Sequence, residues 1–292
     1  MRNASTAPAG GVDITARIVG AELQKRIGQT IVIESKPGAT GTIGAGYVAK
    51  VKPDGYTVLI TSNPAITMLP FMTKVSYDPQ TDFIPVTKVG IAPTIVVVPA
   101  DSPYRTLKEF VDASKKPDSK INIGVTGLGS SPDIEFALIN KMTDAKISIM
   151  SYRGATFIVN DVLGSQITAG SAAVPAMATQ IWAGRMKPLA VVSKTRSSIF
   201  PDVPTVKETM GLNIDGFPTW YGFFVPAGTP KEIVKRLETE ILAIMKDPAV
   251  VEKMKQIGTE VLLTGSETFA AENQVEIDAL KRALKETNVS IK

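Results

Sequence analysis

The sequence contains no histidine and no cysteine. Without histidine the chain lacks the commonest general base, the commonest transition-metal ligand and any Ser-His-Asp arrangement. Without cysteine there are no disulfides, thiolate nucleophiles or thiolate metal sites, and either redox compartment is compatible. No apolar run reaches the ~18–20 residues of a membrane-spanning helix. Met1-Arg2-Asn3-Ala4-Ser5-Thr6 does not read as a signal peptide. Lys and Arg exceed Asp and Glu by 32 − 28 = +4. The basic residues are spread out in runs no longer than two, as at Lys115-Lys116, which argues against a nucleic-acid partner.

What is present is ordinary globular material, 44% apolar and 21% charged, and 292 residues suffice for two domains. The chain reads as organised around Ala9-Gly10-Gly11-Val12-Asp13, a glycine turn running into a helix. Its first N–H groups could hold an anion, or Asp13 could cap them, and the stretch alone leaves both readings open.

Helical and strand patterns then alternate. Ile14, Ile18, Leu23 and Ile27 fall at helical spacings, and Thr30–Ile33 reads as a buried strand. A glycine-rich entry at Lys36–Gly44 leads to a short helix and the strand Thr57–Ile60. Ile95–Val98 is a strand, Thr106 and Glu109 predict a capping box, and Ile121–Val125 is a strand followed by the small, polar loop Thr126–Ser131. Ser131 is expected to cap a helix with Pro132 first, and Ile147–Met150 is a strand leading to Tyr152-Arg153-Gly154-Ala155. Further strands are expected at Gln166–Ala169, Leu189–Val192, Trp220–Val225 and Glu260–Leu263, with helices at Pro175–Gly184, Ala249–Ile257, Ser266 to about Glu286, and after Thr229-Pro230 with Glu232 closing a capping box. This alternation implies α/β architecture with mostly parallel sheets flanked by helices. The terminal helices lack a sheet of their own to cover, so they are expected to return to the first domain.

Enzyme motifs fail. Gly38-x-x-Gly41-x-x-Gly44 lacks dinucleotide-fingerprint spacing, Gly127-x-Gly129 runs into Ser130-Ser131-Pro132, and no P-loop, G-x-S-x-G or S-x-x-K occurs. Asp54, Asp82, Asp133 and Asp161 are scattered and read as caps or turn residues.

Six ordered motifs carry a resemblance: Pro8–Asp13, Lys36-Pro37-Gly38-Ala39-x-Gly41-Thr42-Ile43-Gly44-Ala45, Lys52–Thr57, Tyr152–Ala155, Pro201–Thr205 and Pro226–Pro230. Together they resemble the Bug/TctC family, the extracytoplasmic solute receptors of tripartite tricarboxylate transporters, over nearly the whole chain. The resemblance implies a type II periplasmic-binding-protein fold that closes over a small carboxylate: a di- or tricarboxylate, an acidic amino acid or an aromatic acid. It implies backbone amides and ordered waters at the loops matching Ala9–Asp13 and Tyr152–Ala155 as the carboxylate's holders, rather than a dedicated arginine. It also implies a periplasmic, monomeric receptor with no catalysis, cofactor or metal, serving a transporter's membrane components. A ligand-sensing subunit and a carboxylate-processing enzyme are the competing readings.

The expected site comprises Ala9, Gly10, Gly11, Asp13, Ser62, Asn63, Thr126, Ser130, Ser131, Tyr152, Gly154, Ala155 and Ala173. Several of these follow candidate strands, where open α/β sheets bind ligands. Tyr152 could pack or bind, and Ser130 and Ser131 could be caps or binding groups. Gly170–Pro175, which contains Ala173, is small and neutral where many of the family place Asp or Asn, so ligand identity stays open. Family members carry a hydrophobic strand before the glycine loop, whereas Met1–Thr6 is polar and short. The first domain, residues 1–100 with 221–292, is therefore expected to lack its first strand; residues 101–220 form the second. The crossings are expected near Val96–Ala100 and Trp220–Val225.

Overall fold

The computed structural model describes residues 2–5, 11–36, 38–214 and 217–287. The chain opens with β1 (Arg2–Ser5), α1 (Gly11–Ile27), β2 (Val32–Ser35), α2 (Thr42–Val48), β3 (Thr57–Ser62) and β4 (Phe83–Ala92). Next come β5 (Thr94–Pro99), α3 (Leu107–Ser114), β6 (Asn122–Val125), α4 (Ser131–Thr143), β7 (Ser148–Ser151) and α5 (Ala155–Leu163). They are followed by β8 (Ala169–Ala173), α6 (Val174–Trp182), β9 (Met186–Val192) and α7 (Val206–Met210). The last stretch holds β10 (Thr219–Pro226), α8 (Lys231–Met245), α9 (Pro248–Gln256), β11 (Glu260–Gly265) and α10 (Ser266–Thr287).

The chain divides into two compact units, Met1–Ile91 with Trp220–Leu280 and Ala92–Thr219 with Lys281–Lys292. The first unit's sheet runs β11-β4-β10-β3-β1-β2. Here the structure corrects an expectation: the first strand is present. β1 lies between β2 and β3, parallel to both, with Arg2 opposite Val32 and Thr57. A strand's place in a ladder is held by main-chain N–H and C=O groups, which Arg2–Ser5 supply without being apolar.

Side chains alternate across this sheet. Val58, Ile60, Phe223 and Val225 face a layer with Val12, Ala16, Val19 and Leu23 of α1 and Leu237 and Ile241 of α8. Leu59 and Phe224 join Ala45 and Val48 of α2 and Phe269 of α10 in another. Burying each of these valine, leucine, isoleucine and phenylalanine side chains contributes about 1.5–3 kcal/mol.

The second unit's sheet runs β7-β6-β8-β5-β9. β6 is parallel to β7 and β8, while β5 is antiparallel to β8 and β9. Alternation recurs along β5: Val96 and Val98 pack with Phe110 and Phe136, Ile95 and Val97 with Ile158 and Met177. Its pairing with β8 and β9 places β5 in the second unit, so the boundary stands at Ala92 rather than after residue 100. Trp220 belongs to the first unit, and the end of the chain from Lys281 groups with the second, within α10.

Some local chemistry also differs from expectation. Thr106 accepts the Glu109 N–H, but Glu109 turns back to the Arg105 N–H rather than that of Thr106. Ser130, not Ser131, is the N-cap of α4. Pro230 caps α8, and the Thr229 hydroxyl donates to the Pro226 carbonyl, closing the preceding turn instead of a capping box.

Candidate functional site

In the second unit β7, β6 and β8 are adjacent and parallel, with Val125 opposite Ser151 and Gly124 opposite Gly170. Their carboxyl ends therefore lie at one edge of the sheet, and each leads to a helix start. β6 passes through Thr126–Ser130 into α4, β7 through Tyr152–Gly154 into α5, and β8 from Ala173 directly into α6. The fold thus gathers Thr126, Ser130, Ser131, Tyr152, Gly154, Ala155 and Ala173 at one edge.

The three helix starts are not equivalent as anion sites. The first N–H groups of a helix lack intrahelical acceptors and carry its positive dipole end. At α6 the first of them, from Val174, donates to the Pro93 carbonyl at 3.0 Å, and the second position is Pro175. At α4 the second position is Pro132. α5 begins Ala155-Thr156-Phe157, with no proline and with Gly154, which has no side chain to cap it, as N-cap. A Cβ built on Gly154 meets nothing within 4 Å, so the space before α5 is open.

The surrounding side chains hold these loops in place. Asp133 Oδ2 accepts the Gly129 N–H at 2.7 Å, and burial raises the Asp133 pKa. The Ser130 hydroxyl oxygen is buried without a hydrogen-bond partner among the described residues. Tyr152 donates its N–H to the Val125 carbonyl (2.9 Å) and its hydroxyl to Asp161 Oδ2 (2.6 Å), and its ring packs against the Ile158 and Val162 cluster. Burial, then the Asp161 hydrogen bond and charge, push its pKa up to about 12. Tyr152 thus shapes its loop, while Arg153 is exposed.

In the first unit β1 and β3 are parallel neighbours, and Ser62 at the end of β3 stands opposite Tyr221 of β10. Gly11 starts α1 directly over that tyrosine: a Cβ here would lie 2.1 Å from the Tyr221 hydroxyl oxygen. Ala9 and Gly10 lie outside the described residues. Asp13, in the first turn of α1, is buried and accepts Arg17 Nε at 2.8 Å and Nη2 at 3.4 Å. Its carboxylate adds negative charge at the helix start, so the side chain itself is a poor partner for an anion.

Asn63 is buried, and its amide donates to Glu276 Oε1 at 3.1 Å. Glu276 also accepts the Thr67 hydroxyl (2.7 Å) and the Trp220 indole N–H (2.7 Å), and burial raises its pKa. Sequence reasoning missed Glu276 and a second buried carboxyl, Glu135 in α4, whose pKa burial pushes up to about 7. Glu135 stands among the apolar Ile134, Phe136 and Ile139, and the partners that hold both glutamates are remote in sequence. Asp54 and Asp82 close local turns by accepting the Tyr56 and Asp78 N–H groups. Among the described residues no three His, Cys, Asp or Glu side chains are placed to hold a metal ion.

A family model described as Tripartite tricarboxylate transporter family receptor matches residues 15–289. The solved structure of the periplasmic binding protein BugD is 30% identical with TM-score 0.85, covering 100% of this chain and 98% of its own. Rpa4515 of R. palustris, solved with adipate, is 27% identical with TM-score 0.90, covering 99% and 97%. MatC of Rhodopseudomonas palustris, solved with bound malate, is 25% identical with TM-score 0.84, covering 97% and 98%. With the family model spanning nearly its whole length, the chain belongs to the receptor family of the tripartite tricarboxylate transporters.

Proposed function

We propose that this receptor captures a small dicarboxylate of the C4 to C6 class in the periplasm, as a monomer, and presents it unchanged to the membrane components of a tripartite tricarboxylate transporter. The observation that carries the reading is the start of α5, where Ala155, Thr156 and Phe157 follow a bare glycine into open space. Backbone N–H groups at such a start bind a carboxylate without histidine, metal or paired arginine. The ligands of Rpa4515 and MatC, adipate and malate, support the class.

A thermal-shift titration tests it. At about 100 times Kd a ligand adds roughly 2.7 kcal/mol to stability. Malate or adipate raises the melting temperature and the corresponding diamide does not. Equal shifts for acid and amide, or no shift with either acid, overturn the reading.

A further inference from the structure

Glu135 stands one turn into α4 and is fully buried. Its Oε1 accepts the Phe217 N–H at 2.9 Å and the Thr94 hydroxyl at 3.4 Å. Both partners stand where the chain passes between units, Thr94 just after Ala92 and Phe217 just before Thr219. Beside Thr94, Pro93 accepts the first N–H of α6. Within the second unit, two of the three stretches that lead out of it are thus tied to α4 and α6, two of the helices that start at the proposed binding edge; the third passage lies within α10. Beyond the second passage, Trp220 is held by Glu276 inside the first unit. Residue 217 is fixed on one side and residue 220 on the other, leaving Pro218 and Thr219 between them. Hinges are commonly a few such element-terminal residues.

We propose that Glu135 is the positioning residue for the receptor's conformational change: through Thr94 and Phe217 it couples the α4 start to two of the segments in which the chain passes between the units. The proposal rests on the receptor reading above. A ligand shifts a conformational equilibrium only by binding its states differently, and Glu135 joins the helix start that would sense that difference to the segments that move.

The cysteine-free chain suits the test. Spin labels at Lys116→Cys and Lys246→Cys, both exposed and one in each unit, report separations in the ligand-free protein. Glu135→Gln, which keeps an oxygen for the Phe217 N–H, leaves the distance distribution as in the parent. Glu135→Leu broadens it and shifts its maximum, and changes the apparent Kd for adipate by about tenfold. A leucine variant with the parental distribution overturns the proposal. If that variant does not fold, amide exchange at Phe217 decides: it rises severalfold in Glu135→Gln above neutral pH, where the parent's acceptor is charged, and an unchanged rate overturns the proposal. Because label separation is read without ligand, failure of adipate and malate to bind would reject the dicarboxylate reading and leave the role of Glu135 to be decided by the distances alone.

Discussion

Two helix entrances in this chain look alike in sequence and differ physically. Gly11 opens α1 and Gly154 precedes α5, and both stand in glycine turns that read as binding loops. At Gly11 the missing side chain is required by the fold, because a Cβ would lie 2.1 Å from the Tyr221 hydroxyl oxygen. At Gly154 no described residue other than its own chain neighbours comes within 4 Å of that position, and the backbone is extended at φ 165, which any residue adopts. The first turn of α1 also carries the buried Asp13, whereas the first turn of α5 holds no acidic residue. One glycine serves packing; the other leaves room.

That contrast orders the expected effects of substitution. The largest is Gly11→Val, which collides with a buried ring and should destabilise the protein by about 3 kcal/mol, measured by urea denaturation. A small loss would show that the tyrosine yields easily and that the entrances are more alike than drawn.

Next is the pH dependence from Glu135. Its folded pKa of about 7 lies above the usual carboxyl value, so the folded chain holds this proton to higher pH than the unfolded chain. Its contribution therefore favours folding at low pH and declines as pH rises from the ordinary carboxyl range to about 7, by on the order of 3 kcal/mol. Denaturation of the parent and of Glu135→Gln, near pH 5 and near pH 8, should show this decline in the parent alone; parallel curves would mean the carboxyl is not isolated from water.

Gly154→Val comes third. It should unfold within about 0.5 kcal/mol of the parent, as surface substitutions do, yet lose most of the roughly 2.7 kcal/mol that saturating adipate provides. The smallest effect is Arg17→Ala. Asp13 is buried, but the arginine side chain is 61% exposed, so solvent weakens the pair and about 1 kcal/mol or less is expected.

The same contrast explains what was legible in the sequence. β3 and β5 were readable as continuous apolar runs because both their faces are buried, and α1 from helical spacing, although of Ile14, Ile18, Leu23 and Ile27 only Leu23 is buried. α5 was not: Ala155–Leu163 is rich in β-branched residues and reads as no clear element, yet Ile158 and Val162, four apart, bury one helical face. β4 was missed because Pro85 breaks its pattern, although the ladder to β11 begins beyond it, at Thr87. Of the candidate site, the loops after β6 and β7 were located as loops at strand ends from their glycines and small polar residues. Glu135 and Glu276 were not, because a buried carboxyl is identified by partners remote in sequence, Phe217 for one and Asn63 for the other.

The most direct test of the central claim is an amide NMR titration of the labelled protein with adipate. A ligand carboxylate seated on the α5 start should move the Ala155, Thr156 and Phe157 amide signals most within the second unit, and adipamide should leave them in place. If those three signals stay fixed while adipate shifts amides at the opposite edge of the sheet, around Gln166–Thr168, the account is contradicted.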